Sequence, residues 1–174
     1  LEPNLKPIYS GGVFYDYARH ARNPKKILVK LFENFVKKGG KFLKLNIQDV
    51  NFDEGKPVLR SETQRFVFDK LVIACGDFSK RLTDKLHEKI PLDTERGYHV
   101  HFKDKDHLIS RPVVNSNRGF GMSPMDQGLR VVGTVEFGGL ENALSKNRIK
   151  NLILNAKEML DGLPEHKDEW LGFR

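Results

Sequence analysis

The sequence predicts a mixed α+β fold, in which an α/β layer precedes an antiparallel sheet with flanking helices. Between residues 23 and 90, an amphipathic helix pattern is followed by strand patterns and a short, continuously apolar segment. From Pro91 onward, strand-like segments alternate with Gly, Pro, Asn and Asp until a second amphipathic helix pattern appears. The first arrangement is typical of an α/β layer, and the second is typical of an antiparallel sheet.

The first predicted helix begins at Asn23-Pro24, because Asn caps a helix and Pro suits its first turn. Apolar residues then recur at helical spacing and form one face: Ile27, Leu28, Leu31, Phe32, Phe35 and Val36. Gly39-Gly40 ends the helix, since glycine tolerates the left-handed backbone of a helix C-terminus. Upstream, residues 11–15 predict a glycine turn that enters a short apolar strand.

Several strands are predicted after this helix. Residues 41–52 alternate in part and predict one or two strands, and a polar turn then leads to short antiparallel strands at residues 58–60 and 65–68. Leu71 to Ala74 are apolar at consecutive positions, which predicts a strand covered on both faces. The segment runs into Gly76, where the absence of a side chain lets the backbone approach a ligand.

The second part of the chain predicts four strands and one helix. The strands are expected at residues 98–102, 112–115, 120–123 and 129–137, and the helix at residues 149–160. Along the last strand, simple alternation puts Thr134 and Glu136 on one face and Val135 and Phe137 on the other.

Composition narrows the function classes. The net charge is +7, but the lysines are scattered and no nucleic-acid-binding motif is present, so a solvated basic surface is favoured over a nucleic-acid site. Cys75 is the one cysteine, which excludes a disulfide within the chain and fits a reducing compartment. His99 and His101 share a strand face, yet without a third ligand at a defined spacing no metal site is predicted.

Four segments together point to a family. They are Leu71 to Gly76, Arg96-Gly97-Tyr98, Gly128 to Phe137, and Trp170-Leu171-Gly172-Phe173-Arg174. In this order and at this spacing, they resemble the flavin-dependent amino acid oxidoreductases, the family of D-amino acid dehydrogenase, glycine oxidase and D-amino acid oxidase. The resemblance extends from Gly12 to Arg174 and implies FAD as the cofactor and a small amino acid as the substrate.

The resemblance also implies site residues. Arg174 would bind the substrate carboxylate, with Glu136, Gly121 and Met122 as further substrate-binding residues. The cofactor-binding candidates are Val50, Ala74, Cys75 and Gly76. No catalytic side chain is expected, because hydride passes from the substrate to the flavin. Arg96 is left open between a ligand contact and a structural role.

The implied organisation is that of an internal piece of such an enzyme. Residues 1–22 would begin the substrate lobe, residues 23–90 would form part of the FAD-binding domain, and residues 91–174 would complete the substrate lobe. The G-x-G-x-x-G motif that binds the FAD pyrophosphate is not found in this sequence. We therefore expect the 174 residues alone to be inactive and not to retain FAD.

The implied reaction is oxidation of a D-amino acid to an imine, which water hydrolyses to the 2-oxo acid. Gly121 and Met122 stand where glycine oxidase has a tyrosine, which favours another substrate, although a glycine or sarcosine oxidase remains an alternative. The stretch around Glu136 favours a dehydrogenase with a membrane or quinone acceptor. The expected location is the cytoplasm or the cytoplasmic membrane face, and exposed apolar surface would favour a homodimer. The alternative of another class is a non-catalytic basic domain that binds an anionic partner.

Overall fold

The mixed α/β class predicted from the sequence is confirmed. The structure, a computed structural model, describes residues 2–165 and 168–174. The described residues form a three-stranded and a five-stranded sheet, both antiparallel, together with three α-helices. None of the helices in these ranges is long and apolar enough to cross a bilayer.

The elements have the following bounds. The α-helices are α1 (Pro24–Lys37), α2 (Ser79–Thr83) and α3 (Lys146–Met159). The strands are β1 (Asp49–Asp53), β2 (Lys56–Arg60), β3 (Arg65–Val67), β4 (Glu95–Lys103), β5 (Val113–Asn115), β6 (Phe120–Met125), β7 (Gly128–Phe137) and β8 (Asp168–Phe173). Short 3₁₀ helices lie at Gly76–Phe78, Asp84–Leu86 and Asp106–Leu108.

Helix α1 begins and ends as predicted. The Asn23 side chain accepts a hydrogen bond from the Lys26 N–H at 3.0 Å, and Pro24 occupies the first turn. Gly39 follows the helix with a φ of +90°, the left-handed backbone that glycine adopts without strain. No residue of α1 is buried, and Leu28 on its apolar face is 68% exposed. The helix is therefore formed by its local sequence rather than by packing against the described residues.

The small sheet is a meander in the order β1-β2-β3. The β1–β2 turn is made by Glu54 and Gly55, both with positive φ. Val50 and Val58 are buried, on opposite faces of this sheet, since Val50 pairs with Leu59 and Val58 with Asn51. The two predicted strands at residues 58–60 and 65–68 are therefore confirmed with slightly different bounds.

The strand predicted at Leu71 to Ala74 is wrong. These residues form no strand in the structure, and Val72 is 84% exposed. A continuously apolar strand needs hydrogen-bonding neighbours and cover on both faces, and no described segment pairs with it. The short strand expected at residues 11–15 is likewise absent, and of residues 41–52 only the part from Asp49 onward is extended in a sheet.

The large sheet has the strand order β5-β6-β7-β4-β8, and α3 covers one of its faces. On this helix-covered face, Tyr98, Val100 and Phe102 of β4 pack with residues of β6 and β7. Helix α3 contributes Ile149, Leu152, Ala156 and Met159 to the same core. None of the helices in the described part of the chain covers the opposite face, which we call the open face.

The segment before α1 lies against the large sheet and its helix. Leu5 forms a bridge with Leu160, and the Lys6 N–H donates to the Met159 carbonyl at 2.9 Å. Further along, Arg22 forms ion pairs with Asp106 and Asp126. The segment that precedes α1 thus contacts the end of α3 and the turns next to the large sheet.

A β-bulge at Thr134 changes which residues of β7 share a face. Gly133 pairs with Tyr98 and Val135 pairs with Gly97, so Thr134 is an extra residue, and its φ is +59°. Because a strand alternates with period two, one extra residue moves every later side chain to the other face. Val135 and Phe137 consequently lie on the open face, and Glu136 lies on the helix-covered face.

Strand β8 was not predicted from the sequence. It pairs antiparallel with the outer edge of β4, with Trp170 opposite His99 and Gly172 opposite Gly97. The motif that suggested a ligand contact, residues 170–174, is therefore an edge strand followed by Arg174. Six residues containing a glycine give too short an alternation to predict a strand by pattern alone.

Candidate active site

Strand pairing arranges the open face in rows that run across β7, β4 and β8. Residues that pair directly in an antiparallel sheet have side chains on the same face. From one end of the strands to the other, the rows are Phe137–Glu95–Arg174, Val135–Gly97–Gly172, Val132–His99–Trp170 and Arg130–His101–Asp168. The first two rows form the candidate site, because they hold Arg174 beside positions without side chains.

Arg174 is positioned by β-pairing but has an accessible side chain. Its backbone exchanges two hydrogen bonds of 2.8 Å with Glu95. Its side chain is 62% exposed, and its Nε lies 3.6 Å from Glu95 Oε2. The guanidinium extends over Gly97, where a Cβ would lie 3.6 Å from Nε and 3.7 Å from Cζ. Arg174 is thus a defined but accessible cation on the open face.

Trp170 forms an aromatic platform next to this cation. Its ring lies over Gly172, where a Cβ would overlap the indole. The indole stacks on the His99 imidazole with 4.6 Å between ring centroids and 18° between planes. The floor beside Arg174 is therefore made of glycine backbone and a flat aromatic ring.

The two histidines of this face are neutral at pH 7. Burial, assisted by the Arg130 guanidinium and by His101, lowers the pKa of His99 from 6.5 to about 4. Burial and Arg130 lower the pKa of His101 as well. Positive charge on the open face at neutral pH therefore comes from the arginines rather than from the imidazoles.

We predict that an NMR titration of the His99 imidazole has its midpoint at a pKa of about 4. Because this folded-state pKa lies below the ordinary value of 6.5, the associated stability is present above pH 6.5 and is lost as pH falls toward 4. His99→Gln should flatten this part of the pH profile of the free energy of unfolding. A His99 midpoint near 6.5 would contradict the burial argument.

The predicted cofactor segment lies close to this end of β8. Phe78, two residues after Gly76, packs edge-on against Phe173 with 6.0 Å between ring centroids. Gly76 has a φ of +56°, and no heavy atom lies within 4 Å of where its Cβ would be. Cys75 is an exposed free thiol whose N–H donates to Ser79 Oγ at 3.1 Å. The segment of Ala74, Cys75 and Gly76 thus reaches β8 through Phe78 at Phe173, which pairs with Arg96 and lies on the face opposite to Arg174.

Val50 is located apart from this cluster. The residue is buried in β1, with 1% of its surface exposed. The neighbouring Asp49 forms an ion pair with Lys85, at 3.7 Å, which connects β1 to the segment after α2. Whether Val50 contacts the cofactor stays a prediction.

The two further candidates on β6 lie on opposite faces. Gly121 pairs with Val132 and lies on the open face, where its nearest neighbours are Val113 and Val114. Met122 is buried in the core under α3. Of the two, only Gly121 faces the side of the sheet that carries Arg174, two strands away from β4.

Glu136 is held in a network on the helix-covered face. Tyr98 Oη donates to Glu136 Oε1, and Arg148 Nε donates to Oε2 at 2.8 Å. Arg96 Nη1 lies 3.4 Å from Oε1. Tyr98 Oη also accepts the Ser145 N–H at 3.3 Å, at the start of α3. Glu136 therefore joins the bulged strand to the N-terminus of the covering helix.

The hydrogen bonds of this network set the protonation states of Glu136 and Tyr98. The hydrogen bond from Tyr98, followed by that from Arg148, lowers the pKa of the Glu136 carboxyl below its ordinary 4.5. Burial raises the pKa of the Tyr98 hydroxyl, and the hydrogen bond to Glu136 raises it further. Tyr98 is thus a neutral donor and Glu136 an anion at pH 7.

Arg96 has a structural role. Its side chain is 1% exposed, and Nη2 donates to the Asn142 and Ala143 carbonyls at 2.8 and 2.9 Å. Its Nε has no hydrogen-bond partner among residues 2–165 and 168–174. Buried beneath the loop that follows β7, this guanidinium is not accessible to a ligand on the open face.

Sequence reasoning missed Glu95 as a neighbour of Arg174. The residue directly precedes the Arg96-Gly97-Tyr98 segment and lies two positions from Gly97, on the same face of β4. Residues two apart on a strand share a face, so the sequence could have placed Glu95 on the same face as Gly97. That Glu95 lies beside Arg174 follows only from the pairing of the two residues in the sheet.

Comparisons with known proteins agree with this architecture. A family model described as DAO, FAD dependent oxidoreductase, matches residues 1–174. A D-amino-acid oxidase from Bradyrhizobium diazoefficiens is 32% identical over 164 residues, which are 94% of this chain and 39% of that protein. The chain thus spans well under half the length of this relative.

Solved structures share the fold. A glycine oxidase from Bacillus cereus matches with a TM-score of 0.71 and 21% identity, over 84% of this chain and 42% of that chain. A glycine oxidase from Geobacillus kaustophilus has a TM-score of 0.64 and 21% identity, over 76% and 36%. A glycerol-3-phosphate dehydrogenase from Bacillus halodurans, complexed with FAD, has a TM-score of 0.68 and 16% identity, over 86% and 34%. With the family model matching its whole length, the chain belongs to the DAO family of FAD-dependent oxidoreductases.

Proposed function

We propose that the protein carrying this chain oxidises a D-amino acid to its imine, which water then hydrolyses to the 2-oxo acid. The observation that carries the proposal is the exposed Arg174 guanidinium, which extends over Gly97 on the open face. The similarity to a protein named D-amino-acid oxidase supports the substrate class.

Arg174 is suited to hold and orient a carboxylate. A guanidinium donates two parallel hydrogen bonds to a carboxylate, so it fixes direction as well as position. The Arg174 side chain is 62% exposed, so a substrate can approach it from solvent, above Gly97 and beside the Trp170 indole that covers Gly172. Orientation matters because the Cα–H bond must face the hydride acceptor. Hydride transfer itself needs no side-chain base once the bound ammonium has released its proton to solvent.

The residues near β8 are compatible with a flavin. The backbone at Ala74, Cys75 and Gly76 is accessible, Gly76 has open space around it, and Phe78 links this segment to Phe173. These three residues would contact the flavin through their backbone, and Val50 would contribute backbone only. When bound, FAD supplies the two-electron oxidation.

The proposed electron acceptor is a membrane component or quinone rather than O₂, with the enzyme in the cytoplasm or on the cytoplasmic membrane face. This rests on the resemblance of residues 128–137 to the dehydrogenases. Oxygen consumption with and without an added quinone distinguishes the alternatives. Rapid oxygen consumption without the quinone would favour an oxidase.

The proposal is tested on the purified, flavin-loaded protein. Mixing it anaerobically with D-amino acids, their L-enantiomers, glycine and sarcosine should bleach the flavin absorbance with the D-amino acids only. Bleaching by glycine or sarcosine in preference would identify a related amine oxidase. A flavin that no amine reduces would refute the proposed function.

A further inference from the structure

Glu95 is the carboxylate that adjoins Arg174 on the open face. Its Oε2 lies 3.6 Å from Arg174 Nε, and its side chain is 44% exposed. The two residues are joined by backbone hydrogen bonds on neighbouring strands, so their side chains lie side by side. Glu136, the carboxylate that the sequence predicted for this role, is instead bound to Tyr98 and Arg148 on the opposite face.

This pair of charges is complementary to an α-amino acid. A zwitterionic amino acid carries its carboxylate and its ammonium on the same carbon, so the two groups need adjacent partners of opposite charge. Arg174 and Glu95 provide a cation and an anion at such a separation, on an accessible surface beside Gly97. Arg174 and Glu95 would thus recognise the α-carboxylate and the α-ammonium, the two charged groups that α-amino acids share.

We propose that Glu95 binds the α-ammonium of the amino acid whose carboxylate Arg174 binds. The inference rests on the proposed function, because it takes an amino acid as the ligand of Arg174. It adds a recognition element for the amine, which separates amino acids from other carboxylates.

The pair is free to accept a ligand. Both side chains are more than one-third exposed, and ion pairs of this kind contribute little to stability because solvent screens them. An incoming zwitterion replaces one exposed ion pair by two charge-assisted contacts. Glu136, which already has Tyr98, Arg148 and Arg96 as partners, has no such freedom.

The test uses two ligands of the same shape and the flavin-loaded protein. 2-Aminoisobutyrate has an α-ammonium but no Cα–H bond, so it binds without being oxidised. Pivalate has a methyl group in place of the ammonium. Calorimetry gives the Kd of each ligand without any turnover, which separates binding from chemistry.

Glu95→Gln should raise the Kd of 2-aminoisobutyrate about tenfold, the loss expected for one charge-assisted hydrogen bond. It should leave the Kd of pivalate within about twofold, and this retained binding shows that the variant is folded. Arg174→Leu should weaken both ligands. Glu158→Gln is the matched control, because the Glu158 side chain is 47% exposed and pairs with Arg118 away from the open face, so its loss should affect neither ligand.

The outcomes distinguish the two proposals. If Glu95→Gln leaves the ratio of the two dissociation constants unchanged while Arg174→Leu weakens both ligands, the role of Glu95 is refuted and the carboxylate anchor stands. If Arg174→Leu weakens neither ligand, Arg174 is not the carboxylate anchor and the role of Glu95 is refuted with it, whereas the proposed oxidation is refuted only by a flavin that no amine reduces.

Discussion

Replacing Arg174 by leucine is expected to lower kcat/KM for the best D-amino acid by about a thousandfold, the loss typical of a desolvated charge pair that also orients its ligand. The guanidinium on the open face would be the substrate's carboxylate partner, so its removal costs both affinity and alignment. Arg174→Lys keeps the charge but not the planar fork, and we expect an intermediate loss of about ten- to a hundredfold. Steady-state kinetics of the flavin-loaded variants measure both effects.

The matched control is Arg118→Leu. The Arg118 side chain is 40% exposed and pairs with Glu158 of α3, the helix on the covered face of the large sheet. The substitution should change kcat/KM by less than about twofold, as expected for an exposed ion pair that is not on the open face. An Arg174→Leu enzyme with an unchanged KM would exclude Arg174 as the carboxylate anchor.

Replacing Glu136 by alanine is expected to lower the free energy of unfolding by about 2–3 kcal/mol. The change removes the counter-ion of Arg96, which is 1% exposed, and leaves the Tyr98 hydroxyl without its acceptor. It also releases Arg148 from β7, so the start of α3 loses a contact with the sheet. Urea unfolding measures the loss.

Acid conditions should reveal the same network. The pKa of Glu136 in the folded protein lies below its ordinary 4.5. Its contribution to stability is therefore complete above pH 4.5 and is lost as pH falls through the folded-state pKa. Unfolding of Glu136→Ala should accordingly depend less on pH in this range than unfolding of the wild type.

Glu158→Ala provides the comparison for stability. Glu158 pairs with Arg118 at an exposed site on α3, so its loss should cost less than about 1 kcal/mol. A Glu136→Ala protein that unfolds like the wild type but binds substrate poorly would instead support the assignment of Glu136 to the substrate pocket. Until then, that assignment stays a prediction.

Features determined by neighbouring residues were predictable from the sequence. Asn23, Pro24 and Gly39 delimit α1 even though its apolar face contacts no core, because capping and backbone preference act within a few residues. The strands around Tyr98 and Leu129 were predictable as well, since one of their faces is buried and their sequences alternate. The family, too, followed from short segments and their order.

The strand expected at Leu71 to Ala74 shows where such reasoning ends. Its apolar side chains favour burial, but a buried strand needs neighbouring strands to pair with. No described strand pairs with these residues. The site residues divide in the same way. Arg174 was identified by its motif, whereas Glu95 became a candidate only when β8 was seen to pair with β4.

The sequence by itself determined the class of fold, both ends of helix α1, most strands of the large sheet and the arginine of the candidate site. The tertiary structure decided which side chains meet. The bulge at Thr134 moves Glu136 to the helix-covered face, and edge pairing brings Glu95 beside Arg174. Capping and periodicity depend on adjacent residues, but the face that a side chain occupies depends on hydrogen bonds between strands distant in sequence.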